Sequence, residues 1–290
     1  NAIALSLRNQ KTNVIGVVIP ETVHFFFSTV ISGIEDAAMK EGYNVMICQS
    51  NEQYEREADS IDALMGARVD GLLVSISRET SDLEHLKKVV DEGTPMVFFD
   101  RLVEGMNASS VIVDDYQGAY DAVEHLIKQG CKNIVHLSGP DNLIIARKRK
   151  EGYLSALEDY QIPFKEEYIV ECRNGTEVEA QEAMAKLIDS GISIDGVFAN
   201  NDLAGLGALS AVKKAGIAVP KEIAVVGFSN WQFSSLINPA LSSIAQPGYE
   251  MGQEAAKLIL EEINAKEKGK SQIKILDTEL IVRESSNRLH

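Results

Sequence analysis

The chain of 290 residues carries a formal net charge of −15, and 45% of its residues are hydrophobic while 24% are charged. This length allows one large domain or two ordinary ones, and the composition is typical of a globular protein with a sizeable core. The acidity argues against a general nucleic-acid binder, and no uninterrupted apolar stretch is long enough to span a membrane.

The first twelve residues, NAIALSLRNQKT, differ from the rest because they form a small basic segment at the head of an acidic chain. They contain Arg8 and Lys11, and no acidic residue precedes Glu21. The pattern predicts a short helix over residues 1–12. A helix of this length is marginally stable alone in water, so we expect it to fray in isolation.

From Asn13 onward, short β-branched apolar runs alternate with segments of helical periodicity. After the run at 13–20, apolar residues at helical spacing from Phe27 to Ala38 precede a helix-ending glycine, Gly42. The further apolar runs are YNVMIC, VDGLLVSIS, PMVFFD, SSVIVDD, NIVHLSG, YIVEC, DGVFAN and EIAVVGFS. This alternation predicts parallel strands buried on both faces in a doubly wound α/β architecture.

The number of strands is too large for one comfortable sheet, and the pattern restarts near residue 114. We therefore predict two doubly wound parallel-sheet lobes with a ligand cleft between them, since ligands of such sheets bind beyond the carboxyl ends of the strands. The predicted lobes are residues 13–113 plus about 247–275, and residues 114–246 plus about 276–290.

Polar and aromatic residues follow the predicted strands. Carboxylates, amides and arginine can form paired hydrogen bonds with vicinal hydroxyls or ring nitrogens, and aromatic faces can cover the apolar side of a ring. The alternative is that many of them are ordinary loop and cap residues. Asn201 and Asp202, in particular, could simply cap the helix that follows.

Signatures of catalysis are missing from the sequence. It contains no phosphate-binding G-x-x-x-x-G-K-[ST] loop and no G-x-S-x-G elbow, and GLGALS at 205–210 falls inside a predicted helix. The histidines show no metal-ligand spacing. We therefore predict a protein that is not an enzyme and that uses no cofactor and no metal. The basic run RKRK at 147–150 is too small for a DNA-binding surface, and we expect one of its residues to face the cleft.

Several segments together resemble the lactose/galactose repressor family of bacterial transcription factors, over essentially the whole chain. They are NAIALSLRNQKTNVIGVVIP, VDGLLV, FFDR, VDDYQGAYDAVEHLIKQGCKNIVHLSG, RKEGYLSAL, FANNDLAGLGALSAVKKAGIAVPKEIAVVGFS, NPALSSIAQP and ELIVRES. The resemblance implies a helix-turn-helix headpiece, a hinge helix, and a two-lobed effector domain of the type I periplasmic-binding-protein kind. Because the sequence begins at the hinge, we take it as a truncated form without its headpiece.

The resemblance also implies what the opening helix contacts. In the family, paired hinge helices of a homodimer enter the minor groove of operator DNA, with a leucine at the position of Leu7 as the wedge and Ala4 at the close contact. An aliphatic wedge on a small-residue face suits the unstacking of a base step, and Arg8 would neutralise a phosphate. Operator DNA, a second copy and a small-molecule effector are therefore the expected partners.

For the effector site the resemblance implies ten positions, some of which depart from the family pattern. They are His24, Phe26, Phe27, Asp100, Arg149, Asn201, Asp202, Ser229, Trp231 and Gln246. Ser229 replaces the usual aspartate, Gly175 replaces an aromatic residue, and His24-Phe25 replaces the usual Asn-Pro. Trp231 could supply the lost stacking surface.

These departures leave several functional alternatives open. We expect the effector to be a sugar or sugar derivative, but Arg101 and Arg149 also leave room for an anion, such as a phosphorylated metabolite, and a nucleobase or nucleoside is a further possibility. A periplasmic sugar receptor of a transporter is the alternative function. The widely spaced Cys48, Cys131 and Cys172 favour reduced thiols and a cytoplasmic regulator.

Overall fold

The computed structural model describes residues 11–22, 25–265 and 269–288. The chain divides into two compact units, one formed by Asn1–Val113 with Pro247–Leu276, and the other by Asp114–Gln246 with Asp277–His290. We refer to them as the N-terminal unit and the C-terminal unit. Most of the predicted hinge helix, together with Ala4, Leu7 and Arg8, lies outside the described residues.

The described strands are short and mostly buried. In chain order they are β1 (Val14–Ile19), β2 (Asn44–Gln49), β3 (Gly71–Val74), β4 (Met96–Phe99), β5 (Ser109–Val113), β6 (Ile134–Ser138), β7 (Ile169–Glu171), β8 (Gly196–Ala199), β9 (Ala224–Ser229), β10 (Ser242–Ala245), β11 (Ile273–Leu276) and β12 (Glu279–Ile281).

The α-helices alternate with these strands. They are α1 (Phe25–Lys40), α2 (Tyr54–Gly66), α3 (Glu84–Asp91), α4 (Asp115–Lys128), α5 (Ile144–Asp159), α6 (Glu177–Asp189), α7 (Asp202–Lys214) and α8 (Gly248–Asn264). Among the described residues, no helix is long and apolar enough to cross a membrane.

Each unit is built on one six-stranded sheet. The strand order is β11-β5-β4-β3-β1-β2 in the N-terminal unit and β12-β10-β9-β8-β6-β7 in the C-terminal unit. Every pairing in the first sheet is parallel, whereas β12 runs antiparallel to β10 in the second. The prediction of two doubly wound α/β lobes is confirmed.

Helices cover both faces of each sheet, as strands buried on both sides require. In the N-terminal unit, Ile15 and Val17 pack with α1 and α8, while Val18 faces the cluster that contains Ile61 of α2 and Leu86 of α3. The C-terminal sheet likewise separates two apolar clusters. The alternation of side chains along each strand therefore divides its apolar residues between two cores.

The edge strands depart from the prediction that all strands are buried on both faces. The side chains of Met46 and Ile47 in β2 are 43% and 38% exposed, and β7 is also only partly buried. Both strands lie at the ends of their sheets, so each has one paired neighbour. Apolar composition indicated a strand in both cases but could not show its place in the sheet.

The segment Thr176-x-x-Glu179 at the start of α6 has the spacing of a capping box, but the box forms only in part. Thr176 is the N-cap, and its hydroxyl accepts a hydrogen bond from the Glu179 backbone N–H. The Glu179 carboxylate, however, accepts from the backbone N–H of Asn174, two residues before the cap. The helix starts where the motif predicts it. The Glu179 carboxylate, which in a full capping box accepts from the N-cap N–H, instead accepts from a residue further back along the chain.

Glycines bring pairs of helices into backbone contact. A Cβ on Gly252 of α8 would overlap the Val30 carbonyl oxygen of α1, and one on Gly207 of α7 would overlap the Glu177 carbonyl oxygen of α6. Gly207 belongs to the GLGALS run, so the small residues of that run serve helix packing.

We expect Gly252→Ala to lower the free energy of unfolding of the N-terminal unit by about 2 kcal/mol, because a fixed backbone oxygen occupies the space that the methyl group needs. The matched control is Gly66→Ala at the exposed end of α2, where no atom lies within 4 Å of the added Cβ. Denaturant unfolding followed by circular dichroism measures both. Equal stabilities of the two variants would contradict the packing role of Gly252.

Candidate functional site

The loops after β2, β3 and β4 bring polar groups to the carboxyl edge of the N-terminal sheet. Asp100 directly follows β4 in the left-handed backbone region, with φ at 63°, and it is buried. Its backbone N–H donates to the Val111 carbonyl oxygen at 3.0 Å, which fixes this turn to β5. Ser75 follows β3, and its buried hydroxyl has no hydrogen-bond partner among the described residues.

An ion pair joins two of these loops. The Arg101 guanidinium donates to both Glu52 carboxylate oxygens, at 2.8 and 2.7 Å, and to the Ile76 carbonyl oxygen at 2.8 Å. Arg78 adds a second contact to Glu52 at 3.3 Å. Burial alone would raise the pKa of Glu52, but the two guanidinium groups and their hydrogen bonds outweigh it and lower that pKa to about 2. Arg101 is therefore neutralised within its own unit.

A second buried carboxylate, Glu57 of α2, holds the loop after β3. It accepts hydrogen bonds from the backbone N–H of Ser77, from the Thr80 hydroxyl at 2.9 Å and from His85 Nε2 at 2.8 Å. Glu57 itself is fully buried. Together, Glu52 and Glu57 hold the loops after β2, β3 and β4 to one another and to α2.

The two predicted aromatic residues of this unit lie at the start of α1. The Phe26 and Phe27 rings meet edge to face at 5.3 Å, and Phe27 packs in the same way on Phe99 at 6.5 Å. Both are largely buried, at 7% and 5% exposure, so each presents only a small part of its surface. His24 lies outside the described residues.

In the C-terminal unit, Arg149 of α5 has its charge matched internally. Its guanidinium lies 2.7 Å from an Asp115 carboxylate oxygen, donates to the Asn200 carbonyl oxygen at 2.6 Å, and stacks 3.7 Å from the centre of the Phe228 ring. It is buried, whereas Lys148 on the same helix is exposed. Arg149 thus joins α5, α4 and the end of β8, where Asn200 lies.

Asn200 and Asn201 follow β8 and differ in their roles. Both polar atoms of the Asn201 side chain have a partner, because Oδ1 accepts from the Ala204 N–H as the N-cap of α7 and Nδ2 donates one hydrogen to the Gly175 carbonyl oxygen at 3.1 Å. The side-chain oxygen of Asn200, in contrast, is buried without a partner among the described residues. Of the pair, Asn200 offers the open acceptor, although the sequence-based choice was Asn201.

Asp202 begins α7 and is completely buried. One carboxylate oxygen accepts from the Trp231 backbone N–H at 2.6 Å and from the Ser234 hydroxyl at 2.7 Å, and the other accepts from the Ser243 hydroxyl at 2.5 Å. The structure therefore gives Asp202 an internal set of donors instead of an exposed face.

The remaining predicted residues lie beyond β9 and β10. The Ser229 hydroxyl donates to the Gln246 side-chain oxygen at 2.8 Å, while Gln246 Nε2 is buried without a partner among the described residues. Ser229 and the next residue, Asn230, both have positive φ. Trp231 is partly buried. The serine that replaces the expected aspartate is thus paired with one of the other predicted site residues.

Sequence reasoning missed the residues that position this site. Glu52, Glu57 and Ser243 were not selected as site residues, and Asn200 is one of the polar residues that follow a predicted strand but was not chosen. A signal existed for some of them: Asn200 lies immediately after a strand, and Ser243 is one of two serines inside the otherwise apolar β10. The hydrogen-bond partners of Glu52 and Glu57 lie at least 20 residues away in the sequence, so no local pattern points to them. The described residues contain no group of three or more His, Cys, Asp or Glu side chains that could hold a metal ion.

Two α/β units, each with a largely parallel sheet and polar strand-end loops, define the class of type I periplasmic-binding-protein folds. The family profile described as periplasmic binding proteins and sugar binding domain of LacI family matches residues 12–284. The chain belongs to this family, and the predicted resemblance is confirmed.

Named relatives agree with this assignment. The chain is 33% identical, over 98% of its length and 82% of the relative's, to the HTH-type transcriptional repressor CytR of Escherichia coli strain K12. It is 31% identical to the ribose operon repressor of Halalkalibacterium halodurans, over 99% of this chain and 83% of that one. These relatives are repressors, so the chain is the effector domain of a LacI-family transcriptional regulator and is not an enzyme.

Solved structures show the same fold. A complex of the transcriptional regulator CelR with cellobiose has a TM-score of 0.87 and 25% identity, covering 98% of this chain and 89% of that one. A LacI-family regulator from Enterococcus faecium with bound ribose has a TM-score of 0.81 and 29% identity, covering 96% of this chain and all of that one.

Proposed function

We propose that this domain sets the operator affinity of a transcriptional repressor by binding a neutral, hydroxyl-rich small molecule, a sugar or sugar derivative. The observation that carries the choice of ligand is that two buried arginines, Arg101 after β4 and Arg149 in α5, are each neutralised inside their own unit. Arg101 is paired with Glu52 and Arg149 with Asp115. An anionic ligand would have to compete with these carboxylates.

The buried strand-end atoms that have no hydrogen-bond partner among the described residues are uncharged, with the exception of Arg101 Nε. Ser75 offers a hydroxyl, Asn200 an amide oxygen, and Gln246 an amide nitrogen. These groups carry no charge and can both accept from and donate to hydroxyl groups. Buried polar atoms generally have partners, so uncharged atoms of this kind in the strand-end loops of each unit are suited to hydrogen bonding with a ligand. Cellobiose and ribose bind relatives of this chain.

A thermal-shift screen identifies the ligand. We expect a neutral sugar or nucleoside to raise the melting temperature, because a ligand at 100 times its dissociation constant stabilises the folded state by about 2.7 kcal/mol. The panel contains ribose, cellobiose, adenosine and cytidine, together with phosphorylated forms of the sugars. Stabilisation by phosphorylated sugars alone would count against the proposed ligand class.

The DNA-binding part of the proposal rests on the family resemblance. We propose that Leu7 and Ala4 of the hinge helix enter the minor groove of operator DNA and that Arg8 contacts phosphate; these residues lie outside the described part of the chain. The described chain next to them supports a fixed attachment point. Asp70 accepts hydrogen bonds from the backbone N–H groups of Thr12 and Asn13, each at 2.8 Å. A shift of this unit would therefore be transmitted to the segment that precedes it.

We also propose that the domain forms a homodimer through the N-terminal unit. The edge strand β2 exposes Met46 and Ile47, and the end of α1 exposes Met39. An exposed apolar edge strand is a site for pairing with another chain, and β2 contains neither lysine nor proline to block it.

We expect Ile47→Lys to convert the dimer into monomers, because a buried lysine at an apolar contact is costly. Light scattering would give about twice the chain mass of 31.7 kDa for the wild type and the single-chain mass for the variant. The control is Val178→Lys, an exposed apolar residue in the other unit.

A wild-type mass of one chain at high concentration would instead favour the alternative function, a periplasmic sugar receptor. The free thiols of Cys48, Cys131 and Cys172 and the repressor relatives favour a cytoplasmic regulator.

A further inference from the structure

The segment after β9, residues 229–236, is attached to the C-terminal unit by a buried carboxylate. Asp202 accepts hydrogen bonds from Trp231 and Ser234 of this segment and from Ser243 of the neighbouring strand β10. There is room for the carboxylate because β9 has a glycine beside it: a Cβ on Gly227 would overlap an Asp202 carboxylate oxygen.

A second set of contacts fixes the same segment from the other side. The Arg283 guanidinium donates to the Asn230 side-chain oxygen and to the Leu241 carbonyl oxygen, both at 2.7 Å. The Asn230 backbone N–H donates to the Ser243 hydroxyl at 2.9 Å. Ser243 therefore connects Asp202 to Asn230, and the positive φ of Ser229 and Asn230 is held between these contacts.

The role of Asp202 is not that of a helix cap. Asn201 is the N-cap of α7 and already accepts from the Ala204 N–H at 2.8 Å. Asp202 is fully buried, and a buried carboxylate is costly unless its hydrogen bonds are satisfied. Burial raises the pKa of Asp202 to about 6, although bonds from Ser243, Ser234 and Trp231 and the Arg283 charge lower it. Two of the three donors to the Asp202 carboxylate, Trp231 and Ser234, lie in the segment after β9. The carboxylate therefore fixes that segment to the rest of the unit.

We propose that Asp202 is a positioning residue that sets the location of Trp231, and of the adjacent Ser229–Gln246 pair, for effector binding. The binding part of this inference rests on the proposed function, whereas the positioning of the indole does not. Asp202 acts through Trp231, because its carboxylate is fully buried and both of its oxygens accept from donors within the unit.

Trp231 is the only tryptophan of the chain, so its fluorescence reports this segment directly. We expect Asp202→Ala to shift the emission of the ligand-free protein to longer wavelength and to make acrylamide quenching more efficient. Asp202→Asn keeps an acceptor oxygen for the Trp231 N–H and should lie between this variant and the wild type. The control is Thr176→Ala, which removes the cap of α6 in the same unit and should lower the melting temperature without changing the emission.

Unchanged emission and quenching in folded Asp202→Ala would overturn the inference. If that variant does not fold, Ser234→Ala decides the matter, because it removes one bond to Asp202 and should produce a smaller shift in the same direction.

Affinity for ribose, measured by calorimetry, should fall by about tenfold in Asp202→Ala, equivalent to about 1.4 kcal/mol. A wild-type protein that binds no neutral sugar or nucleoside would count against the proposed function, while the fluorescence comparison would still decide the role of Asp202.

Discussion

Arg149→Ala is expected to lower the free energy of unfolding of the C-terminal unit by roughly 3 to 5 kcal/mol, because it leaves the buried Asp115 carboxylate without its counter-charge. It also removes the bond to the Asn200 carbonyl oxygen and the stacking on Phe228. Denaturant unfolding followed by the fluorescence of Trp231 measures this unit specifically.

Two comparison variants separate the ion pair from other effects. Lys148→Ala removes a cation from the same helix, but its pair with Glu151 is half-exposed on both sides, so we expect a loss below about 0.5 kcal/mol. Arg149→Met with Asp115→Asn removes both charges while keeping a side chain over the ring, and it should recover part of the lost stability. A stable Arg149→Ala protein would show that the buried pair contributes little.

The second large effect is expected at Glu52 in the N-terminal unit. Its pKa is about 2 in the folded protein against an ordinary value of 4.5, and a difference of this size corresponds to about 3 kcal/mol of stability at neutral pH. Because the folded-state pKa is depressed, this stabilisation is fully present above pH 4.5 and is lost as the pH falls toward 2. Glu52→Gln should therefore be less stable than the wild type at pH 7 and approach it in acid.

Hydrogen exchange of the β1 and β3 peptides at pH 7, and denaturant unfolding between pH 7 and pH 3, would measure the difference between the two proteins. Glu55→Gln, an exposed residue of α2, is the control for a lost charge in the same unit. A difference that is independent of pH would mean that Glu52 acts through packing and not through its charge.

The sequence was sufficient for the fold because its signals are local. Apolar runs and helical periodicity gave the order of the elements, and a strand that alternates with helices must pair in parallel. The positions of strands within the sheet are not local. The runs of β2 and β3 look equally apolar, yet β3 is central and buried whereas β2 is an edge strand.

The residues of the candidate site could be predicted from the sequence only in part, for the same reason. Strand-end positions and the family resemblance selected Asp100, Arg149 and Asp202, but the charge that each residue meets depends on partners far along the chain. Arg149 is paired 34 residues away, and Asp202 accepts from Ser243, 41 residues away. The expectation that Arg101 and Arg149 leave room for an anion is changed by these partners, because each guanidinium already has a carboxylate partner.

The central claim, a neutral effector, is tested most directly by calorimetric titration of the domain with a matched pair of ligands. The pair consists of ribose, or another neutral compound that scores in the thermal-shift screen, and its phosphorylated counterpart. We predict saturable binding of the neutral compound and a loss of at least about tenfold in affinity for the phosphorylated one, equivalent to about 1.4 kcal/mol. Tighter binding of the phosphorylated compound would contradict the claim, because it would require Arg101 or Arg149 to bind the anion in place of Glu52 or Asp115.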